Sequence, residues 1–294
     1  MLGVVLAFLS SIFWGGSDFA GGVASRRSTA LHATLWSFAG GTVASLIAAV
    51  IWRGDASGRA VVAGAAAGVL AVGGFLALYA SLAAAPMGVV TVIVGAAEAI
   101  IPVLVGVGWY HDALSGWAWL GVGLALGGAA MIGLAEGERG RAPWPPLILA
   151  AVSGALFGLS VVAFDAAPHD SGLVTPTVDV ITGLVLVLVL QLVIARIGAM
   201  RRAATSIGIT TGPSPREAYA TRIALGAGVL MAAANITLLF ALREGQLAVV
   251  GVVLCLYPIA TALLARVFLK ERLVLAQILG IAVALGGCVL LALF

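Results

Sequence analysis

The sequence predicts an all-α membrane protein whose ten transmembrane helices form two inverted five-helix repeats. Three observations carry that prediction. Of the 294 residues, 62% are hydrophobic and only 9% charged, whereas soluble domains are nearer a quarter charged. Apolar runs long enough to cross a hydrocarbon core, about 20 residues each, follow one another to the C-terminus. The chain also repeats itself: Ala7 to Arg53 lies without a gap on Ala150 to Arg196, a shift of 143, and Gly88 to Leu134 lies on Leu247 to Leu293, a shift of 159.

Taken in order, the apolar runs place helices at about 3–23, 31–52, 60–82, 87–109, 115–134, 146–165, 173–195, 219–242, 246–269 and 273–293. The nearly uncharged Leu2 to Phe19 lacks the basic start of a secretory signal, so it reads as the first span. Turn residues mark the links, as in Arg53-Gly54-Asp55 and Gly137-Glu138-Arg139-Gly140. The longest link, Arg196 to Arg222, holds Gly212-Pro213-Ser214-Pro215 and several arginines and is expected to be a solvated loop.

Polar and glycine residues keep the repeat in register. Matches include Ser10/Ser153, Gly15/Gly158, Ser17/Ser160, Thr34/Thr177 and Gly40/Gly183, and then Gly127-Gly128 on Gly286-Gly287. Two units follow, 1–135 and 146–294. Five spans is an odd number, so the second unit enters the membrane opposite to the first. Inverted repeats of this kind build alternating-access carriers, with the substrate site near the midplane where the halves meet.

Ionisable groups at membrane depth then become the site residues. Glu98 sits mid-span in Glu98-Ala99-Ile100-Ile101-Pro102. A carboxylate there costs at least a few kcal/mol, and the proline frees a backbone carbonyl. A water-lined cavity satisfies both, with Glu98 as proton acceptor or as counter-ion to a substrate ammonium; a hydrogen-bonded structural acid is the alternative. Asp18, after Trp14-Gly15-Gly16-Ser17, faces either the cavity or the membrane surface, because the first helix is expected to end before Arg26 and Arg27. Asp179, just beyond Pro176, is deep enough to reach a central cavity. Asn235 is either an interhelical hydrogen bond or a ligand. Trp14, Trp36, Tyr79 and Tyr257 either wall the cavity and stack on a cation or pack against lipid and core. Pro102 and Pro258 are expected hinges.

Other features point away from chemistry. Trp109, Tyr110, Trp117 and Trp119 fit an aromatic belt, and the Gly-Gly pairs fit close helix packing or dimerisation. Cys255 and Cys288 lie in apolar runs without ligand spacing. His32, His111 and His169 are too scattered for a metal site. No Walker, GxSxG or HExxH sequence is present. The expectation is therefore no enzyme, no cofactor and no metal, and a formal charge of +3 that reports orientation and not nucleic acid.

Several short motifs carry a family resemblance. They are Phe13-Trp14-Gly15-Gly16-Ser17, Tyr257-Pro258, Phe268-Leu269-Lys270-Glu271-Arg272-Leu273, Gln277-Ile278-Leu279-Gly280 and Gly286-Gly287. In these the chain resembles the drug/metabolite transporter superfamily, specifically its ten-helix type with two EamA domains. That resemblance implies export of small metabolites, often amino acids or their analogues, or of drugs. The first half departs from it: the Gly-Glu-Arg-Leu corner reads His111-Asp112-Ala113-Leu114. Glu98-x-x-x-Pro102 is similar to the branch exporting threonine and homoserine.

The expected protein is an integral, multi-pass protein of a bacterial inner membrane, a monomer or homodimer, that exports an amine-bearing or zwitterionic small molecule by proton antiport, driven by the proton gradient. An uncoupled carrier and a non-transporting membrane subunit are the alternatives. The membrane-depth candidates are all acids, whereas a carrier of phosphates would need Lys or Arg there. Of fifteen basic residues, all but Arg53, Arg59 and Arg243 fall in the odd-numbered loops, which by the positive-inside rule puts both termini outside the cytoplasm. The resemblance implies both termini inside, and the sequence leaves the two open.

Overall fold

Helix ends follow local chemistry more closely than the apolar runs do. The computed structural model describes residues 2–109, 115–134, 136–137, 140–141, 143–168, 170–210, 217–244, 257–270 and 274–293. Helix α1, Leu2–Arg27, continues past its expected end. Ser25 and Ser28 hydroxyls bond back to the carbonyls of Gly22 at 2.9 Å and Ala24 at 2.8 Å. The Arg26 guanidinium reaches away, donating to Leu82 O and Ala85 O, both at 2.7 Å. It thereby places a cation on the free carbonyls at the end of α3, where the helix dipole favours one. Asp18 consequently sits in mid-helix and not at the membrane surface.

Helix α2, Ala30–Ile51, starts at Thr29, whose hydroxyl accepts from His32 N, and α3, Gly58–Ala84, starts at Ser57, which accepts from Ala60 N. Helix α4, Met87–Trp109, runs unbroken through Pro102. Helix α5 is Gly116–Leu134. A two-residue antiparallel pairing of β1, Glu136–Gly137, with β2, Gly140–Arg141, follows it. Prolines in the first turn suit the start of α6, Trp144–Asp165. Then come α7, Val174–Arg196, α8, Gly198–Ser206, α9, Glu217–Glu244, α10, Tyr257–Leu269, and α11, Leu275–Leu293.

The link from Arg196 to Arg222 corrects one expectation, because it contains α8. Ile209, just after α8, accepts a backbone bond from Leu31 N at 3.0 Å, which ties this segment to the α1–α2 link. Gly212-Pro213-Ser214-Pro215, the His111-Asp112-Ala113-Leu114 corner, His169, Cys255 and the start of the ninth expected span lie outside the described residues.

Five helices, Ala30–Ile51, Gly58–Ala84, Trp144–Phe164, Val174–Arg196 and Ala218–Ala241, are long and apolar enough to cross a membrane among the described residues, and shorter apolar helices accompany them. Large apolar side chains stay exposed in stripes along these helices, for example Ile47, Val50 and Ile51 on α2 and Leu188 and Leu192 on α7. In water such patches would mark an aggregation surface; against lipid they are the ordinary outer face of an integral, multi-pass membrane protein.

The interior is built almost wholly from contacts between the two halves, and these come in pairs. Helix α1 packs on α9 as α6 packs on α3; α2 packs on α9 as α7 packs on α3; α4 packs on α6 as α10 packs on α1. The other main contacts join an element to its own counterpart: α5 with α11, α2 with α7, and α4 with α10. This is what a two-fold relation between the repeats requires. Buried hydroxyls obey it too. Ser10 donates to Ala234 O at 2.9 Å and Ser153 to Gly74 O at 2.8 Å; Ser17 donates to Ala227 O at 3.0 Å and Ser160 to Ala67 O at 3.3 Å. The donors differ by 143 positions and the acceptors, 234 against 74 and 227 against 67, by 160.

Of the four paired glycines, Gly128 meets α11 at Gly280 O and Ala284, whereas Gly127 and Gly286 have nothing within 4 Å. Only one glycine of the α5 pair is therefore used in the close approach of the two helices.

Candidate functional site

The repeat relation also sets the site. Gly15 lies so close to α10 that an added methyl would stand 2.7 Å from Tyr257 O and 2.5 Å from Ala260 Cβ. Its counterpart Gly158 lies so close to α4 that a methyl would stand 2.8 Å from Glu98 O and 2.6 Å from Ile101 Cβ. Glu98 and Tyr257 are themselves counterparts, 159 positions apart. Each is held by a glycine contact from the other half, and they meet: the Tyr257 hydroxyl donates to Glu98 Oε2 at 3.1 Å. The pseudo-two-fold axis passes between them. Thr261, one turn on from Tyr257, fastens α10 to α1 by donating to Gly15 O at 3.1 Å.

Around this pair lies a cavity of about 150 Å³ walled by both halves. The first half contributes Trp14 and Asp18 from α1, Phe75 from α3 and Glu98 from α4. The second contributes Phe157, Ser160 and Phe164 from α6, Asp179 from α7, Asn235 from α9 and Tyr257 from α10. Phe75 is the hub of its floor, with ring centroids 4.9 Å from Phe157, 5.5 Å from Phe38 and 6.3 Å from Trp14.

The three acids occupy two levels, Asp18 and Glu98 nearly side by side and Asp179 nearer the opposite face. At 1.5 Å per residue, Asp18 is about 14 Å from the Arg27 end of its helix, Glu98 about 17 Å into α4 and Asp179 about 8 Å into α7. The Arg27 end belongs to the face that carries most of the basic residues, here termed the basic face. Asp18 and Asp179 are 3% and 4% exposed, and Asp179 Oδ1 has no hydrogen-bond partner. Among the described residues no group of His, Cys, Asp or Glu is gathered closely enough to hold a metal ion.

Toward the basic face the cavity ends at packed helices. A methyl on Gly21 would overlap the Tyr79 ring, and one on Gly22 would meet Met87 and Leu82 at 2.8 and 3.0 Å. The Tyr79 hydroxyl is 3.3 Å from Ser37 Oγ. Toward the opposite face the counterparts of Gly21 and Tyr79, which are Phe164 and Leu239 at offsets of 143 and 160, line the cavity instead. The two ends of the site are therefore built from equivalent positions in different arrangements.

Of the residues expected from the sequence, Glu98, Asp18, Asp179, Trp14, Asn235 and Tyr257 lie in the cavity wall. Trp36 and Tyr79 do not. Trp36 stands beside His32, ring centroids 6.2 Å apart, and Tyr79 is fully buried in the seal. Pro258 is buried at the second position of α10. Phe75, Phe157, Phe164, Ser160 and Met231 were not expected there. The repeat would have found some of them, because Phe157 is the counterpart of Trp14.

Comparison with known proteins gives a family match. A model described as the EamA-like transporter family matches residues 1–134 and 144–293. Among solved structures, one titled only "Crystal structure of protein" aligns over 98% of this chain and 95% of its own, with a TM-score of 0.56 and 18% identity. That likeness speaks for the fold alone. No curated protein matches the chain.

Proposed function

The chain belongs to the EamA-like transporter family, and we propose that it is a secondary active transporter exporting a small amine-bearing metabolite in exchange for protons. The family consists of membrane transporters of small molecules and not of enzymes. The observation that carries the finer reading is the convergence of Asp18, Glu98 and Asp179 on one cavity between the halves. Carboxyls in a water-poor site bind either a proton or an organic cation, and competition between the two is what proton antiport needs. Rocking of one half against the other would expose the site to each face in turn.

The test is efflux from proteoliposomes loaded with labelled amines and amino acids, with and without a pH gradient, for wild type and Glu98→Gln. Gradient-stimulated efflux that Glu98→Gln abolishes in a folded protein is the expected result. Flux that ignores the gradient would make the chain an uncoupled carrier. No flux of any compound, with stability altered by Glu98→Gln, would favour a non-transporting subunit.

A further inference from the structure

From the charge and size of the cavity we infer that its ligand is an organic cation with a compact apolar body and no carboxylate, so that the site discriminates against free amino acids. The inference deepens the transport reading by naming the substrate class of the same site, but it concerns binding and needs no flux.

Among the described residues the wall contains three acids and no Lys, Arg or His. Residues 245–256, which lead into α10, carry no basic residue either. Asp179 lies nearest the face where α1 begins and Glu98 and Asp18 lie deeper, so an ammonium arriving from that face meets Asp179 first. A carboxylate entering beside it meets three acids and no cation. In a site of lowered dielectric that repulsion is strong, and a buried charge left without a partner is unfavourable in its own right.

Hydroxyl donors do not fill the gap. Tyr257 OH is committed to Glu98 and Ser160 Oγ to Ala67 O. Asp179, a residue of the wall only 4% exposed, has a buried Oδ1 that accepts no hydrogen bond. Among the described residues the three acids do not gather into a three-ligand metal site, whereas an ammonium can use one carboxylate at a time.

The rest of the wall is apolar and aromatic. Trp14 and Tyr257 present faces that attract a cation, and Phe75, Phe157 and Phe164 supply surface for a flat or compact hydrocarbon. A cavity of about 150 Å³ is the size that accommodates benzene in a protein core, so an arylalkylamine fills it.

Three probes share a phenylethylamine body and are compared at mildly acidic pH, where the ester's amine is protonated: phenethylamine (+1), phenylalanine methyl ester (+1) and phenylalanine (zwitterion). Binding to the purified protein in nanodiscs is followed by calorimetry and by tryptophan fluorescence. The amine and the ester are expected to bind at least about tenfold more tightly than phenylalanine, a difference of about 1.4 kcal/mol. Asp179→Asn, checked for folding by its thermal midpoint, is expected to weaken the two cations and leave phenylalanine unchanged. Phenylalanine binding as tightly as its ester, or none of the three binding, overturns the inference. Amine binding without transport would instead overturn the transport reading and leave this one standing.

Discussion

Substituting Gly21 by alanine tests whether the contact that seals the basic face holds the protein in this conformation. The methyl would overlap the Tyr79 ring, and Tyr79 is fully buried with its hydroxyl engaged by Ser37, so the ring cannot swing aside without repacking α1 against α3. Overpacking of this kind costs about 1–3 kcal/mol. In a conformation open to the basic face, α1 and α3 separate at this point and the methyl meets nothing. The cost therefore falls on one conformation only and moves the ratio of the two by about 5- to 150-fold. The reporter is Leu239→Cys at the opposite end of the cavity, in a background with Cys255 and Cys288 replaced by serine. Its reaction with a membrane-impermeant maleimide from the face where α1 begins is expected to slow in Gly21→Ala. Unchanged labelling of Leu239→Cys in a folded Gly21→Ala protein would refute the reasoning.

Two further outcomes follow from the central pair and its supports. Tyr257→Phe removes the donor to Glu98 Oε2; a hydrogen bond to a charged group is worth about 1.5–3 kcal/mol. The loss falls on stability, so the thermal midpoint of Tyr257→Phe in detergent should drop, and an unchanged midpoint would count against a formed bond between Tyr257 and Glu98. Gly158→Ala forces α6 away from Glu98 O and Ile101, again at about 1–3 kcal/mol, whereas Gly127→Ala meets nothing. Thermal unfolding in detergent should separate the two variants, and equal midpoints would contradict the close packing.

What the sequence disclosed and what it hid divide along physical lines. Apolar runs and the 143-residue register are properties of the whole chain, and they located the helices and the two halves. The position of Glu98 mid-span was readable because it is a charged group in an apolar run, whereas its bond to Tyr257 was not, because Tyr257 read only as one of four aromatics that could wall a cavity. Tyr79 shows the limit: an aromatic with a hydroxyl looks the same in sequence whether it walls a cavity or plugs one, and only the contact with Gly21 decides. Trp36 failed for a related reason, since its surroundings include His32, and Thr221 beyond it, which bonds His32 at 2.9 Å. Helix α8 was missed because nine residues with two arginines carry no membrane-length signal. The register of α3 on α9, needed to pair Phe75 with Asn235, was hidden by a one-residue change of offset from 159 to 160.

If the protein exchanges protons for an organic cation as proposed, the location of the Glu98–Tyr257 bond between the two halves bears on how the exchange would work. When the halves exchange roles, residues at the ends of the cavity trade environments: Gly21 and Tyr79 come to resemble what Phe164 and Leu239 are now. Groups on the axis trade places only with each other, so their separation and their distance from either face change least. A carboxyl in that position offers a proton or an organic cation nearly the same site from both sides. On the proposed antiport reading, the affinity of that carboxyl would then be nearly equal from the two faces. Asp18 and Asp179 lie off the axis, and their counterparts, Val161 and Trp36, cannot be charged. They break the symmetry in charge, as Gly21/Phe164 and Tyr79/Leu239 break it in shape. A symmetric frame with acids placed asymmetrically thus separates two tasks: exchange at the axis, and bias away from it.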